Sequence, residues 1–122
     1  MRVLKNGMHR YTDTFVMDEP GPGGACHEYA ISPVDLPKDQ PVKEYYAHVK
    51  FQKGPIAENE RNGCFMEDLL DIVVDRLESF QSGDFACREN ALALTKIQEA
   101  LHWLNHRTSD RIERDVEGKS VT

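Results

Sequence analysis

Residues 66–80 read MEDLLDIVVDRLESF, and in this stretch the apolar period changes from two to about 3.6 residues. Met66, Leu69, Leu70, Val73, Leu77 and Phe80 fall on one helical stripe. Glu67, Asp68 and Asp71 occupy the first turns, where the helix dipole favours acids. Gly83 is placed to cap the C-terminus. A second helix opens between Asp84 and Arg88 and carries Leu94, Ile97, Leu101 and Leu104 on one face. It runs toward Arg114 and frays before Gly118, leaving a loose tail from Val116. Two amphipathic helices with a short link, Gln81–Cys87, form an antiparallel hairpin.

Upstream of the hairpin the pattern is that of strands. Segments near Met8–Met17, Cys26–Ser32 and Glu44–Gln52 are rich in Tyr, Val, Phe, Thr and Ile. Turn residues separate them: the run from Glu19 to Gly24, and a proline-rich stretch from Pro33 to Pro41. Tyr45, Ala47, Val49 and Phe51 alternate with Tyr46, His48 and Lys50, one apolar face against one mixed face. Gly54-Pro55 ends the third strand and Asn62-Gly63 marks a turn. The expected architecture is α+β. A small N-terminal antiparallel sheet over residues 1–62 precedes a helical hairpin over residues 63–122, the whole forming one compact oligomerising unit.

Composition narrows the function classes. A chain of 122 residues with 39% hydrophobic and 8% aromatic content holds a modest core, which gains from burying surface in an oligomer. The net charge of −6 argues against binding a nucleic-acid polymer, though not against a small anion held by a few arginines. The three cysteines have no zinc-type spacing, and an odd count suits reduced thiols. With no charged-then-apolar leader after Met1 and no long apolar run, neither a signal peptide nor a membrane span is expected. The expected location is the cytoplasm.

Several side-chain groupings invite a chemical reading. Arg107, Arg111 and Arg114 share one face near the end of the second helix, and guanidinium forks grip phosphate in pairs. Arginines there also simply complement the helix dipole. From Met66 to Glu99 eight acids face three bases, so positive charge gathers at one end of an acidic hairpin. At the other end, Phe80 and Phe85 flank the tip and Asn90 opens the second helix, an aromatic–amide set able to stack and hydrogen-bond a nucleobase. Core closure is the preferred reading for Phe85, and Phe80 is open between the two. Asn90 and Arg107 lie about 25 Å apart along one helix, so a small ligand touching both needs two chains. His102 and His106 are four apart, a metal pair lacking a third ligand. Gly21–Gly24 lacks the Lys-Ser/Thr of a phosphate loop and reads as a hairpin loop whose amides can approach an anion. Cys26-His27 are strand neighbours, and Cys87 has no evident base, so no catalytic set emerges.

These segments resemble a phage-encoded family. The matching runs are Phe51-Gln52-Lys53-Gly54-Pro55-Ile56, Asn62-Gly63, Glu67-Asp68-Leu69-Leu70 and Arg76-Leu77-Glu78-Ser79-Phe80-Gln81. They continue with Phe85 through Leu94, Arg107-Thr108 and Val116-Glu117-Gly118. The family is that of the Thoeris anti-defence sponges, whose hairpin is related to that of the anti-CBASS sponges. The likeness covers about residues 44–118 and extends more loosely to Pro20–Tyr29. It implies a protein that holds a bacterial immune signalling nucleotide without cleaving it, in the cytoplasm of the infected host. The nucleotide is chiefly glycocyclic ADP-ribose, and for some members also a cyclic oligonucleotide. The resemblance further implies a homodimer or hexamer, no cofactor, and ligand-binding roles for Phe80, Asn90, Arg107 and Arg111. The alternative is a helical-hairpin protein–protein interaction module without a nucleotide ligand; a third possibility is a metal-assisted phosphodiesterase using His102 and His106.

Overall fold

The computed structural model describes residues 2–35 and 44–113. Arg114, the tail from Val116 and most of the proline-rich link up to Pro41 lie outside them. The chain divides into two compact units, Met1–Cys64 and Phe65–Thr122.

The first unit is an antiparallel sheet of four strands in sequential order, β1 (Arg2–Val3), β2 (Thr12–Val16), β3 (Glu28–Pro33) and β4 (Ala47–Lys50). Phe15 pairs with Ala30, and Ala30 with His48; Val16 pairs with Tyr29, and Tyr29 with Val49. Directly paired residues share a face. One face therefore centres on Phe15, Ala30 and Ser32, all with no solvent exposure. The other gathers Val16, Tyr29, Ile31, Ala47 and Val49, with the Phe51 ring edge-on to Tyr29 at 5.6 Å. Alternation thus places Ala47, Val49 and Phe51 as their pattern suggests. Tyr45 does not follow it, because it precedes the strand: its ring meets Phe15 edge-on at 5.4 Å.

Beyond β4 the chain is pinned rather than free. Phe51 forms a parallel bridge with Cys64: the Gln52 N–H donates to the Cys64 carbonyl and the Cys64 N–H to the Lys50 carbonyl, each at 2.8 Å. A Cβ on Gly63 would lie 2.5 Å from the Phe51 carbonyl carbon, so only glycine allows this approach. Between these anchors the loop contains a short helix, α1 (Ile56–Asn59), closed by two side-chain amides. Gln52 donates to the Gly54 and Glu60 carbonyls and accepts the Asn62 N–H. Asn62 accepts the Lys53 N–H at 2.7 Å and donates to the Lys53 carbonyl at 2.9 Å.

The second unit is the hairpin, α2 (Met66–Gln81) and α3 (Arg88–Glu113). The start of α2 lacks a polar residue at its N-cap, and Asp68 compensates by accepting the Phe65 N–H at 2.9 Å. At the other end Gly83 is not the left-handed cap expected from its position. Ser82 closes the helix instead, its N–H bonded to the Glu78 carbonyl and its hydroxyl to the Ser79 carbonyl. The buried residue of α2 is Val74, 8% exposed, with Leu70 and Leu77 half-buried on the same side. Met66, Ile72 and Val73 are exposed. The apolar content of α2 is therefore wider than one stripe, and part of it faces outward.

Candidate functional site

The tip of the hairpin is tied across its link. Gln81, the last residue of α2, accepts the Cys87 N–H on its side-chain oxygen at 3.0 Å. Cys87 in turn caps α3, its Sγ accepting the Asn90 N–H at 3.4 Å and its carbonyl the Ala91 N–H. Cys87 therefore has a structural task, satisfying an otherwise orphan helix donor. These bonds set the last turn of α2 beside the first turn of α3.

Phe80 and Asn90 come from those two turns, and both are half-buried. The Phe80 and Phe85 rings meet at a steep angle of 73°, 6.4 Å apart, yet Phe85 is 76% exposed. Phe85 therefore does not close a core within this chain. The Arg76 guanidinium lies over the Phe80 ring, 4.9 Å from its centroid. Arg76 was not among the residues singled out from the sequence. Its spacing of four from Phe80 is the signal that could have found it.

Arg107 and Arg111 stand at the far end of the same helix. α3 has 26 residues against 16 in α2, so with the two joined at the tip its last ten, 104–113, extend past the start of α2. That overhang is about 15 Å of helix. Arg107 on it is exposed, and Arg111 is half-buried and engaged with a neighbour. One unbroken helix thus carries the amide at its first turn and the arginines in its last two turns. The structure brings Phe80 close to the Asn90 end and does not bring either to Arg107.

Exposed apolar groups extend along the hairpin. Ile72 on α2 is 65% exposed and Trp103 on α3 is 66% exposed. Trp103 is flanked by His102 and His106, whose rings stack nearly parallel at 6.5 Å. Among the described residues no three His, Cys, Asp or Glu side chains are placed to hold a metal.

In the first unit, the glycine loop links β2 to β3 as a 3-10 turn over Pro22–Gly24, with Gly23 and Gly24 left-handed. The Gly21 and Gly24 N–H groups are spent within the loop, on the Ala25 and Gly21 carbonyls. Asp18 organises the segment that follows. Its carboxylate accepts the His27 N–H at 3.0 Å and the Glu28 N–H at 3.2 Å, and its carbonyl accepts the Cys26 thiol. Burial works to raise the Asp18 pKa. The two N–H bonds, with the charges of Lys53 and His27, outweigh it and hold the carboxyl below its ordinary value. Cys26 and His27 are thus both anchored on Asp18, and not paired as nucleophile and base. Beside them, an open cleft is lined by Arg2, Met17, Asp18, Glu19, Pro20 and Cys26.

No helix among the described residues is long and apolar enough to cross a membrane. Comparison with known proteins adds two findings. A family model described as Acb2/Tad1, hairpin domain, matches residues 44–109. Thoeris anti-defense 1 of Bacillus phage SBSphiJ7 is 39% identical over 138 aligned positions, which cover 97% of this chain and 97% of that protein.

Proposed function

The chain belongs to the Acb2/Tad1 hairpin family of phage anti-defence proteins, and from that premise we propose that it sequesters, without cleaving, a bacterial immune signalling nucleotide. The ligand class is glycocyclic ADP-ribose, with cyclic oligonucleotides as a second class, and the system blocked is Thoeris, with CBASS a second target. The protein acts in the infected host.

The observation that carries this reading is the polarity of the hairpin. An aromatic and an amide sit at the tip, two arginines sit on the overhang of α3, and about 25 Å of helix separates Asn90 from Arg107. A single chain cannot close both around one small ligand. Two hairpins packed antiparallel can, because the overhang of one then reaches the tip of the other. In that assembly, a homodimer or a hexamer built from such pairs, Phe80 stacks the base and Asn90 fixes its edge. Arg107 and Arg111 of the second copy bind the diphosphate through paired charge-assisted bonds. The exposed Ile72 and Trp103 supply apolar surface for such packing.

Capture without turnover requires tight binding and no nucleophile or base at the ligand. The test is calorimetric titration of glycocyclic ADP-ribose, followed by heat release and chromatography of the recovered ligand. The expected result is saturable binding and unchanged ligand. No binding, or a chemically altered ligand, refutes the proposal.

The same exposed apolar residues suit a second reading, a hairpin that docks another protein and binds no nucleotide. On that reading the titration is silent, and Phe80→Ala abolishes a pull-down.

A further inference from the structure

Arg76 stands out once the charges of α2 are placed on its surface. Side chains three or four residues away are the ones an arginine can reach along a helix. For Arg76 these are Ile72, Val73, Ser79 and Phe80, none of them acidic. The hairpin is otherwise rich in acids, with Asp71, Asp75 and Glu78 all nearby in sequence. Among the described residues no carboxylate pairs with Arg76, and the contact it makes is with the Phe80 ring. Arg76 is exposed.

We infer that Arg76 is a ligand-binding residue of the same site: with its guanidinium over the Phe80 ring, it adds a planar cationic layer to the stacking surface that Phe80 offers the nucleobase. This rests on the nucleotide-capture reading above and extends it. A guanidinium backed by an aromatic ring is held flat by the ring's electron-rich face. Its second face then offers a stacking plane of the kind that receives unpaired bases. Its charge also offsets the acids of α2, which would otherwise repel a phosphate arriving at the tip. Lysine at this position would keep the charge and lose the plane.

The test is titration of glycocyclic ADP-ribose into the wild type, Arg76→Lys, Arg76→Ala and Phe80→Ala proteins at two salt concentrations. Circular dichroism and size-exclusion chromatography show whether each variant keeps its fold and assembly. Arg76→Ala is expected to weaken binding about tenfold to a hundredfold and to flatten its salt dependence. Arg76→Lys is expected to fall between the wild type and Arg76→Ala while retaining the salt dependence. Should Arg76→Ala bind as tightly as the wild type while Phe80→Ala does not, this inference fails and nucleotide capture stands. An Arg76→Lys protein equal to the wild type also overturns the stacking role. A wild type that does not bind removes both readings.

Discussion

Asn90 and Arg107 lie on one unbroken helix, separated by 17 residues and therefore by about 25 Å of rise. No rotamer change brings these side chains to a common small ligand. The helix would have to break, or a second chain must supply one end.

The two-chain site predicts complementation. Phe80→Ala and Arg107→Ala proteins, each impaired alone, should recover part of the binding when mixed and allowed to exchange protomers. In a two-fold pair one of the two composite sites in each hybrid is wild type, and hybrids make up about half of the pairs in an equal mixture, so capacity approaches about a quarter of normal. Titration of the mixture against each parent checks this, and hybrids no better than their parents would falsify the shared site.

Gly63 should tolerate no side chain. A Cβ there would sit 2.5 Å from the Phe51 carbonyl carbon and 2.6 Å from the Lys50 carbonyl oxygen, both backbone atoms with little freedom to yield. Gly63→Ala should cost about 2–3 kcal/mol or disrupt the bridge to Cys64 outright. Thermal melting reads the loss, and a wild-type midpoint would contradict the geometry.

Asn62 holds Lys53 from both sides of its peptide, at 2.7 Å and 2.9 Å. Asn62→Ala should therefore speed hydrogen exchange at the Lys53 amide and lower stability by about 1–2 kcal/mol. Asn62→Asp can still accept the N–H and cannot donate to the carbonyl, so its effect should be intermediate.

Asp18 predicts a pH signature. Its carboxyl is held below the ordinary value, so the native sheet unit binds its proton less readily than the unfolded chain does. The stabilisation is complete above the unfolded pKa, about 4, and is lost as pH falls through the lower native value. Asp18→Asn should thus lower stability at neutral pH, with the gap to wild type closing on acidification. Urea melts at pH 7 and pH 3 test the sign; a gap that widens at pH 3 is the contrary result.

Legibility in the sequence followed the range of the interactions involved. The helical hairpin was readable because its period of 3.6 repeats over many residues, and the sheet because its strands alternate. The length separating Asn90 from Arg107 was readable for the same reason, since rise per residue is fixed. The packing stripe of α2 held at Leu70 and Leu77 and differed at one position between them, with Val74 buried and Val73 exposed. Two adjacent apolar stripes leave the periodicity unable to say which one meets α3. The Gln52 and Asn62 brackets were invisible because they join side chains to backbone up to ten residues away. Ser82 displaced Gly83 as the helix stop because its hydroxyl competes for a terminal carbonyl, which propensity rules for glycine do not weigh. Arg76 is not legible in the net charge of the hairpin, because a sum over a segment does not say which helix face carries each charge.

The overhang of α3 bears on dosage. If each binding site is completed by a neighbour's overhang, isolated chains have no capacity at all. Below the dissociation constant of the pair, functional sites accumulate with the square of protein concentration. On that reading each doubling of a low protein concentration would raise the number of functional sites about fourfold. A response of that steepness needs no regulatory element. It follows from one helix being ten residues longer than the other.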